Sequence, residues 1–483
     1  MLRIIRRLTA VFSVRLVPYR LISCFFASNQ SVSRYLHPSR GYCKESRLSS
    51  RLPGLVFFQL ICIIGLSSAF IGITQAGEKT LTLFEAAQAA QLNDPWLVGN
   101  RHSQEAIESM SVAAGTLPDP TVSLGLVNVP TDTFDFDQEP MTQAKVGVTQ
   151  MFPRGSSLAI KRKQLETVGS QFPFQRLDRK AKIVVTVSQL WLSAYNAQES
   201  IALIEKDRPL FEQLADVAEA SYSAALGRTR QQDIVRAQLE LTRLDDRLTV
   251  LKQKQEMFME KLSEWLSDYF REEYSYSSTA VTTLLWSRLA LNKSLPDIKM
   301  LQQSLYLSNK EIDPQHLFEY FSKHPTLLAL DREIEASKIG IDLARESYKP
   351  AWGVNASYGY REDTPNGQDR ADFASLGVTF DLPFFTGNRQ DKQVQASVSQ
   401  AEALKTKKWS MLRKMIAGFE NARAQLKRLN ERQKLYHDQL LPQMSEQAEA
   451  SLTAYTNDDG DFAEVVRSRI AELNAQIDAL TID

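Results

Sequence analysis

Carboxylates are the reactive groups that this 483-residue sequence concentrates most tightly, and they lie in one short segment near its C-terminal end. Asp458, Asp459 and Asp461 surround Gly460. Clustered acids focus cations and can select for them. The same residues would also be favoured by a solvated turn between two helices, because Asn, Asp and Gly adopt turn conformations and Asp caps helices. The sequence leaves both interpretations open.

Catalytic side chains show no arrangement that an enzyme would need. Gly77-Glu78-Lys79-Thr80 is similar to the end of a phosphate-binding loop, but it lacks the leading glycine and the preceding strand. Methionine and histidine form no cluster typical of a soft-metal site. We therefore expect a protein that is not an enzyme and that holds no cofactor or metal. The histidines are scattered, and none lies in an HExxH pattern: His37, His102, His316, His324 and His437.

Charge and cysteine content narrow the class of protein further. The chain has 57 basic and 57 acidic residues, so its formal net charge is zero and gives no general attraction for nucleic acid. The body of the chain contains no thiol for a disulfide, a metal site or a nucleophile. All three cysteines lie near the N-terminus: Cys24, Cys43 and Cys62.

The apolar run from residue 52 to 73 is typical of a secretory signal. Arg47 and Arg51 precede it, and Thr74-Gln75-Ala76 follows it. We expect cleavage near Ala76, with a single membrane anchor as the alternative. Cleavage would leave a chain without cysteine, as suits an oxidising compartment.

Residues 350–383 contain two alternating segments joined by a turn-rich loop. A period of two, with one apolar and one polar face, predicts strands. Each arm has about ten residues, the length that a tilted strand needs to cross a bilayer. A soluble hairpin with one face on a core is the other interpretation. The apolar positions are Trp352, Val354, Ala356, Tyr358 and Tyr360, then Ala374, Leu376, Val378, Phe380 and Leu382.

Short motifs recur 230 residues apart along the chain. Gly147-Val148-Thr149 returns as Gly377-Val378-Thr379, and Pro153 returns as Pro383. A steady register over so long a stretch predicts a duplicated half-protein. Each half is expected to contain a helix, a hairpin and a long helical tract.

The long tracts are rich in strong helix formers, and their apolar residues recur every three or four positions, as in coiled coils. Pro173, Pro209 and Pro442 should bend or interrupt them. The expected segments are a leader and signal peptide (1–76), N-terminal helices (77–119), a first membrane β-hairpin (120–153), the long helices of the first repeat (154–271), an equatorial connector (272–324), a helix (325–349), a second membrane β-hairpin (350–384) and the long helices of the second repeat (385–483).

Two hairpins supply four strands, too few to close a barrel around water. Open sheet edges in lipid leave backbone groups unpaired, at several kcal/mol each. A membrane location therefore requires several copies, and three copies give twelve strands. The expected fold is mainly α with a β-barrel contribution: a trimeric 12-stranded outer-membrane β-barrel, with four strands per chain, continued by a long α-helical coiled-coil barrel, with a two-fold internal repeat.

Residues 80–481 resemble the TolC family of outer-membrane efflux ducts. The similar segments are LPDPTVSLGLVNVP at 117–130, GVTQMFPRG at 147–155, GVTFDLPFFTGN at 377–388, and the helix turns YSAALGRTRQQDIVRAQLEL and AYTNDDGDFAEVVRSRIAEL. The LPDP and MFPRG segments look most similar to the heavy-metal branch, of the CusC and CzcC kind. Several relatives in that branch carry a lipidated cysteine, and no suitable cysteine follows the signal here.

The resemblance implies a homotrimer in the outer membrane of a Gram-negative bacterium. Its helices would form a tunnel through the periplasm and dock to a periplasmic adaptor (membrane fusion) protein and an inner-membrane pump. Relatives hold the periplasmic end shut with tyrosine, arginine and aspartate links. Here the resemblance implies a gate made of Tyr455, Arg228, Arg230, Asp458, Asp459 and Asp461, with nine carboxylates near one axis in a trimer.

The polar faces of the hairpins are expected to line the channel, and the aromatic residues to face outer-membrane lipid or its interfaces. The expected lumen residues are Lys145, Thr149, Asn355, Ser357, Arg361 and Asp381. The expected lipid-side aromatics are Trp352, Tyr358, Tyr360, Phe380, Phe384 and Phe385.

The expected function is the channel component of a tripartite RND-type efflux system, a passive exit duct for heavy-metal cations. A duct of the same fold for type I protein secretion or drug efflux is one alternative. A periplasmic coiled-coil adaptor or scaffold is an alternative of another class.

Overall fold

The computed structural model describes residues 80–223, 230–267, 290–298, 305–306, 312–457 and 459–483. All of them lie in one compact unit, Ile73–Asp483. The predicted leader and signal peptide, the three cysteines, Arg228, Asp458 and much of the predicted connector lie outside the described residues. The described part is mostly helical with one small antiparallel sheet, which confirms the coarse prediction of fold class.

Helices lie before, between and after two β-hairpins. A short 3₁₀ turn (Glu346–Tyr348) precedes β3, and a π-helical turn (Tyr436–Leu440) precedes α9. The elements are α1 (Leu83–Asn93), α2 (Pro95–Ala114), β1 (Thr121–Val127), β2 (Gln143–Phe152), α3 (Ser157–Gly169), α4 (Phe172–Ser223), α5 (Gln231–Leu266), α6 (Pro314–Ser322), α7 (Pro325–Arg345), β3 (Trp352–Tyr360), β4 (Phe373–Phe380), α8 (Gln390–Leu435), α9 (Leu441–Thr456) and α10 (Phe462–Ile482).

The four strands form a single sheet in the order β1-β2-β3-β4, with every pair antiparallel. The two hairpins meet where β2 pairs with β3, from Ala144 opposite Tyr360 to Phe152 opposite Trp352. The rings of Phe152 and Trp352 stack with their centroids 4.1 Å apart. Within the described residues β1 and β4 each pair with one neighbour only, so they are the edges of the sheet.

Helix boundaries follow local capping chemistry. Thr82 and Glu85 form a capping box at the start of α1. Asp94 caps α2, with Pro95 as its first residue, where the missing N–H costs nothing. Pro173 lies in the first turn of α4 for the same reason.

The other two prolines differ in their effect. Pro209 was expected to bend or interrupt its helix, yet it lies inside α4, which is unbroken over its whole length of 52 residues, or about 78 Å. The π-helical turn lies immediately before α9, in which Pro442 is the second residue. A local widening of this kind accommodates a residue that cannot continue the hydrogen-bond ladder.

The long helices pack through residues that recur every three or four positions. Ile183, Val187 and Trp191 of α4 are buried against α1, α5 and Leu291. The indole of Trp191 donates to the carbonyl of Leu81 at 3.0 Å, which anchors the described N-terminal segment. These residues belong to the first of four core clusters in the described part of the chain. The second cluster joins α4, α5 and α10, the third joins α4, α5, α9 and α10, and the fourth joins α7 and α8.

None of the helices in the described ranges is both long enough and apolar enough to cross a bilayer.

Candidate functional site

The register of the sheet places its residues on two chemically different faces. Residues paired across neighbouring strands project to the same side. Val122, Val148, Ala356 and Leu376 therefore share one face. Thr121 pairs with Thr149, which pairs with Asn355 on the opposite face.

The apolar face is exposed in the single chain. Leu124 and Leu376 are each 80% exposed, and Phe380 is 63% exposed. Tyr360, at the loop end of the same face and predicted to face lipid, is the exception, since it is only 8% exposed. So large an exposed apolar surface marks a contact with a partner or with lipid.

Four of the six predicted lumen residues lie on the polar face within the strands. Lys145 is paired with Gly125 and Gly359, and Thr149 is paired with Asn355. Ser357 lies between Gly147 and Ser375. The structure thus brings Lys145, Thr149, Asn355 and Ser357 to one surface.

Arg361, which was expected on the channel wall, lies just beyond β3 and holds the two hairpin loops together. Its guanidinium donates to the carbonyls of Ala371 and Pro140, the latter at 3.0 Å. It also lies 4.0 Å from the ring centroid of Phe373. Its charge is therefore engaged by neighbouring groups.

Asp381, also expected on the channel wall, lies just beyond β4, where the sheet meets the helices. One carboxylate oxygen accepts from the backbone N–H of Ala351 at 2.7 Å, and the other accepts from the guanidinium of Arg154. Arg154 also donates to the carbonyl of Lys349 at 2.7 Å. Asp381 and Arg154 thus join the ends of both hairpins.

Glu346 supports the same junction from the helix side. Its carboxylate is largely buried and accepts from the backbone N–H of Ser156 at 2.8 Å and from the ammonium of Lys349 at 2.7 Å. The hydrogen bond from Lys349, followed by that from Ser156, lowers the pKa of Glu346 below its ordinary value. Glu346 therefore stays ionised over the physiological range and holds the two chain segments together.

Gly155 lies where these segments come closest. Its φ of +45° belongs to the left-handed region that favours glycine. A Cβ at this position would overlap the Glu346 carboxylate and the Lys349 side chain. Sequence reasoning missed the junction role of Arg154 and Glu346, although the Pro153-Arg154-Gly155 motif at a strand–helix boundary was a visible signal.

The predicted gate residue Tyr455 lies at the end of α9 and packs into the third core cluster. Its ring contacts Phe462 edge-on, with the centroids 5.7 Å apart. Val465 and Val466 of α10, Leu214 of α4 and Ala237 of α5 belong to the same cluster. The end of α4 and the start of α5 therefore pack against the end of α9 and the start of α10 in one hydrophobic cluster.

The acids beside Tyr455 differ in what they do. Asp461 caps α10, and its side chain accepts from the N–H of Ala463 at 3.3 Å. Asp459 is exposed, and its N–H donates to the carbonyl of Ala454 at 2.9 Å. A Cβ on Gly460 would come within 2.6 Å of the Tyr455 nitrogen, so the tight turn requires glycine there.

The start of α5 lies on the other side of the third core cluster. Arg230 is exposed there, and its backbone N–H donates to Asp233 at 2.9 Å. Asp233 is buried, with 4% of its surface exposed, and sequence reasoning missed it. Because Arg228 and Asp458 lie outside the described residues, only four of the six predicted gate residues are placed: Tyr455, Asp459, Asp461 and Arg230.

Among the described residues, no group of three or more His, Cys, Asp and Glu side chains could hold a metal ion.

No protein-family model matches the chain, and no curated protein matches it either. Solved structures do match. A membrane protein from Pseudomonas aeruginosa is 14% identical at a TM-score of 0.66, over 83% of this chain and 88% of that one. The outer membrane protein VceC of Vibrio cholerae is 10% identical at a TM-score of 0.64, over 83% of this chain and 92% of that one.

CusC, whose structures describe transmembrane channel formation, is 10% identical at a TM-score of 0.61, over 83% of this chain and 88% of that one. CusC does not score above VceC, so the similarity singles out no branch. At these identities the similarity is one of fold. The chain has the fold of these outer-membrane channels.

Proposed function

We propose that the chain is one subunit of a homotrimeric outer-membrane duct. Three sheets close a twelve-stranded barrel, and the helices continue it as a tunnel through the periplasm of a Gram-negative bacterium. The observation that carries this proposal is the sheet itself, with one bare apolar face, one polar face and two free edges. The similarity of fold to outer-membrane channels supports it.

The free edges are the reason for several copies. Every unpaired backbone group in hydrocarbon costs several kcal/mol, so a sheet that meets lipid must be closed. Four strands are too few to enclose water, whereas twelve are within the range of outer-membrane barrels. Pairing β4 of one copy with β1 of the next satisfies both edges.

The helices support the same assembly. Leu429 and Leu435 of α8 fit the predicted coiled-coil pattern but are 39% and 51% exposed within the chain. A neighbouring copy would cover them. The order of helix, hairpin and long helices also occurs twice along the chain, which supports the proposed two-fold repeat.

The duct would act as the passive exit component of a tripartite RND-type efflux system, with an adaptor protein and an inner-membrane pump as partners. The resemblance of the LPDP and MFPRG segments to the heavy-metal branch supports metal cations as cargo. Growth of a deletion strain on copper, silver, zinc, cobalt and cadmium, beside drugs and detergents, tests the cargo. Sensitivity to drugs alone, or a block in protein secretion, would favour the alternative cargoes.

Two neighbouring residues on opposite faces of β4 test the barrel. Arg on a lipid-facing strand costs about 2–4 kcal/mol at the bilayer midplane. Leu376→Arg should therefore abolish heat-modifiable trimers in outer-membrane fractions. Ser375→Arg adds the same side chain to the polar face and should leave the trimers intact.

Equal tolerance of both variants would contradict the lipid-facing assignment. A soluble monomer, or proteolysis that leaves no protected strands near residues 352–361, would favour a periplasmic adaptor or scaffold instead.

A further inference from the structure

Lys145 is the only charged residue in the four strands of the sheet. The register places it on the polar face, between Gly125 of β1 and Gly359 of β3. Neither neighbour has a side chain, although the side chain of Gln143 lies over Gly359. Its side chain is exposed, and among the described residues its ammonium group has no ion-pair partner.

The rest of the polar face is neutral and built mostly from small residues. Three larger apolar side chains, Val127, Met151 and Phe373, and the amide of Gln143 lie near its two ends. A wall of this composition has little selectivity of its own, so a single unpaired charge dominates its field. The small members are Thr121, Ser123, Gly125, Gly147, Thr149, Gly353, Asn355, Ser357, Gly359, Ser375, Gly377 and Thr379.

The other charged residues that the sequence predicted for the channel wall are engaged. Arg361 is bound to the carbonyls of Ala371 and Pro140. Asp381 is bound to Arg154 and to the N–H of Ala351. Both lie beyond the ends of the strands. Asp381 is paired with Arg154, and Arg361 keeps its positive charge in the loop region, so Lys145 is the one charged residue of the wall within the strands.

We propose that Lys145 determines the ion selectivity of the barrel. This inference rests on the proposed trimeric barrel with its polar face inward. Three copies of Lys145 then form a cationic ring at one height in the lumen. The ring favours small anions and anionic cargo over cations, and it repels a divalent cation twice as strongly as a monovalent one. It therefore counts against free divalent metal cations as the cargo and in favour of the alternative cargoes.

The loops above the ring carry the opposite charge. Lys145 lies two residues from the start of β2, or about 7 Å along the strand, which is within the Debye length of about 10 Å at 0.1 M salt. The acidic loops therefore oppose the effect of the ring at low salt. Charge changes at position 145 separate the contribution of the ring to selectivity from that of the loops. The loop carboxylates are Asp132, Asp135, Asp137, Glu139, Glu362, Asp363, Asp369 and Asp372, and the loop cations are Arg361 and Arg370.

Reversal potentials of the purified trimer in planar bilayers under a KCl gradient measure this selectivity. Lys145→Gln should lower the chloride-to-potassium permeability ratio by roughly two- to threefold, and Lys145→Glu should lower it further. Lys145→Arg should leave it unchanged. The shifts should shrink at about 1 M salt, where the Debye length is about 3 Å.

Gly125 offers a matched control. It is paired directly with Lys145, and a Cβ placed on it meets no atom within 4 Å. Adding Gly125→Lys to Lys145→Gln moves the charge to the next strand at the same height. The double variant should restore the selectivity of the parent protein.

A second measurement does not depend on whether the periplasmic end is open. The sequence after residue 62 contains no cysteine, so Gly125→Cys is a single thiol in the barrel. Anionic and cationic thiosulfonate reagents are added from outside the cell. The ratio of the anionic to the cationic labelling rate should fall several-fold when Lys145→Gln is added, and a ratio of rates is independent of thiol pKa.

The outcomes separate the two proposals. A thiol at position 125 that no reagent reaches from outside contradicts the barrel itself. If the protein is labelled and conducts ions, but Lys145→Glu leaves its selectivity unchanged, the role of Lys145 is overturned while the barrel is not. Failure of Gly125→Lys to restore selectivity would do the same.

Discussion

Arg154 donates to the carboxylate of Asp381, 227 residues further along the chain. Arg154 lies between β2 and α3, and Asp381 lies just after β4. The same guanidinium binds the carbonyls of Ser347 and Lys349, which precede β3. One side chain thus fixes three of the points at which the sheet meets the helices.

Arg154→Ala should destabilise the protein by about 1–2 kcal/mol. The variant loses charge-assisted hydrogen bonds to two carbonyls and one carboxylate, but half of the Asp381 side chain is exposed and solvent weakens that pair. Denaturant unfolding in detergent, followed by circular dichroism, measures the change. Arg345→Ala removes an exposed pair with Asp342 and is the control, with an expected change below about 0.5 kcal/mol.

Asp381→Asn tests the same junction from the other side. Asparagine keeps one carbonyl oxygen for the Ala351 N–H, but it loses the charge and the second oxygen that accepts from Arg154. Its effect should be smaller than that of Arg154→Ala. A larger effect would mean that the charge of Asp381, and not the Arg154 hydrogen bonds to the backbone, holds the junction.

Gly155→Ala should cost about 1–3 kcal/mol. Alanine is strained at a φ of +45°, and its methyl group would displace Glu346 from the Ser156 N–H. Gly387→Ala is the matched control, because Gly387 lies in the corresponding segment before α8 with open space around it. Unfolding midpoints of the two variants give the comparison, and equal midpoints would exclude strain at Gly155.

Acid should weaken the start of α7 through His324. Its Nδ1 accepts from the N–H of Thr326 at 3.2 Å, which requires an unprotonated nitrogen. Burial lowers the pKa of His324 from its ordinary value of 6.5, with Asp178 opposing this shift and Lys182 adding to it. Because the unfolded chain then binds more protons below pH 6.5, stability is full above that pH and falls as the pH drops towards the folded-state pKa.

His324→Asn keeps a capping oxygen but does not titrate. Between about pH 7.5 and about pH 5.5 the parent protein should lose up to about 1 kcal/mol more stability than this variant. Unfolding midpoints of both proteins across this range provide the measurement. Parallel pH profiles would show that protonation of His324 is not coupled to folding.

The strands were predictable because each contrasts an apolar with a polar face at a period of two, as in Val354-Asn355-Ala356-Ser357. The pairing of β2 with β3 was not, since it joins segments about 200 residues apart and depends on how the helices between them pack. Arg361 and Asp381 show the same limit. Alternation predicted the side to which they point, whereas their partners depend on loops that carry no periodic pattern.

Asp461 and its neighbours allow turn chemistry to be separated from ion selection. Asp461→Ala removes the cap of α10 and should cost about 1 kcal/mol, whereas Asp461→Asn keeps an acceptor for the Ala463 N–H and should restore stability. Replacing Asp458, Asp459 and Asp461 together by Asn should therefore preserve the fold. It should lower the cation preference measured in planar bilayers, because three carboxylates per chain lose their charge.

This change is opposite in sign to that expected of Lys145→Glu, which should raise cation preference at the other end of the proposed duct. The two sets of charges are too far apart to couple, so their effects on the reversal potential should add. Unchanged selectivity in the triple Asn variant, with a normal response to Lys145→Glu, would assign the three aspartates to the turn alone. The barrel would then be the selective segment of the duct.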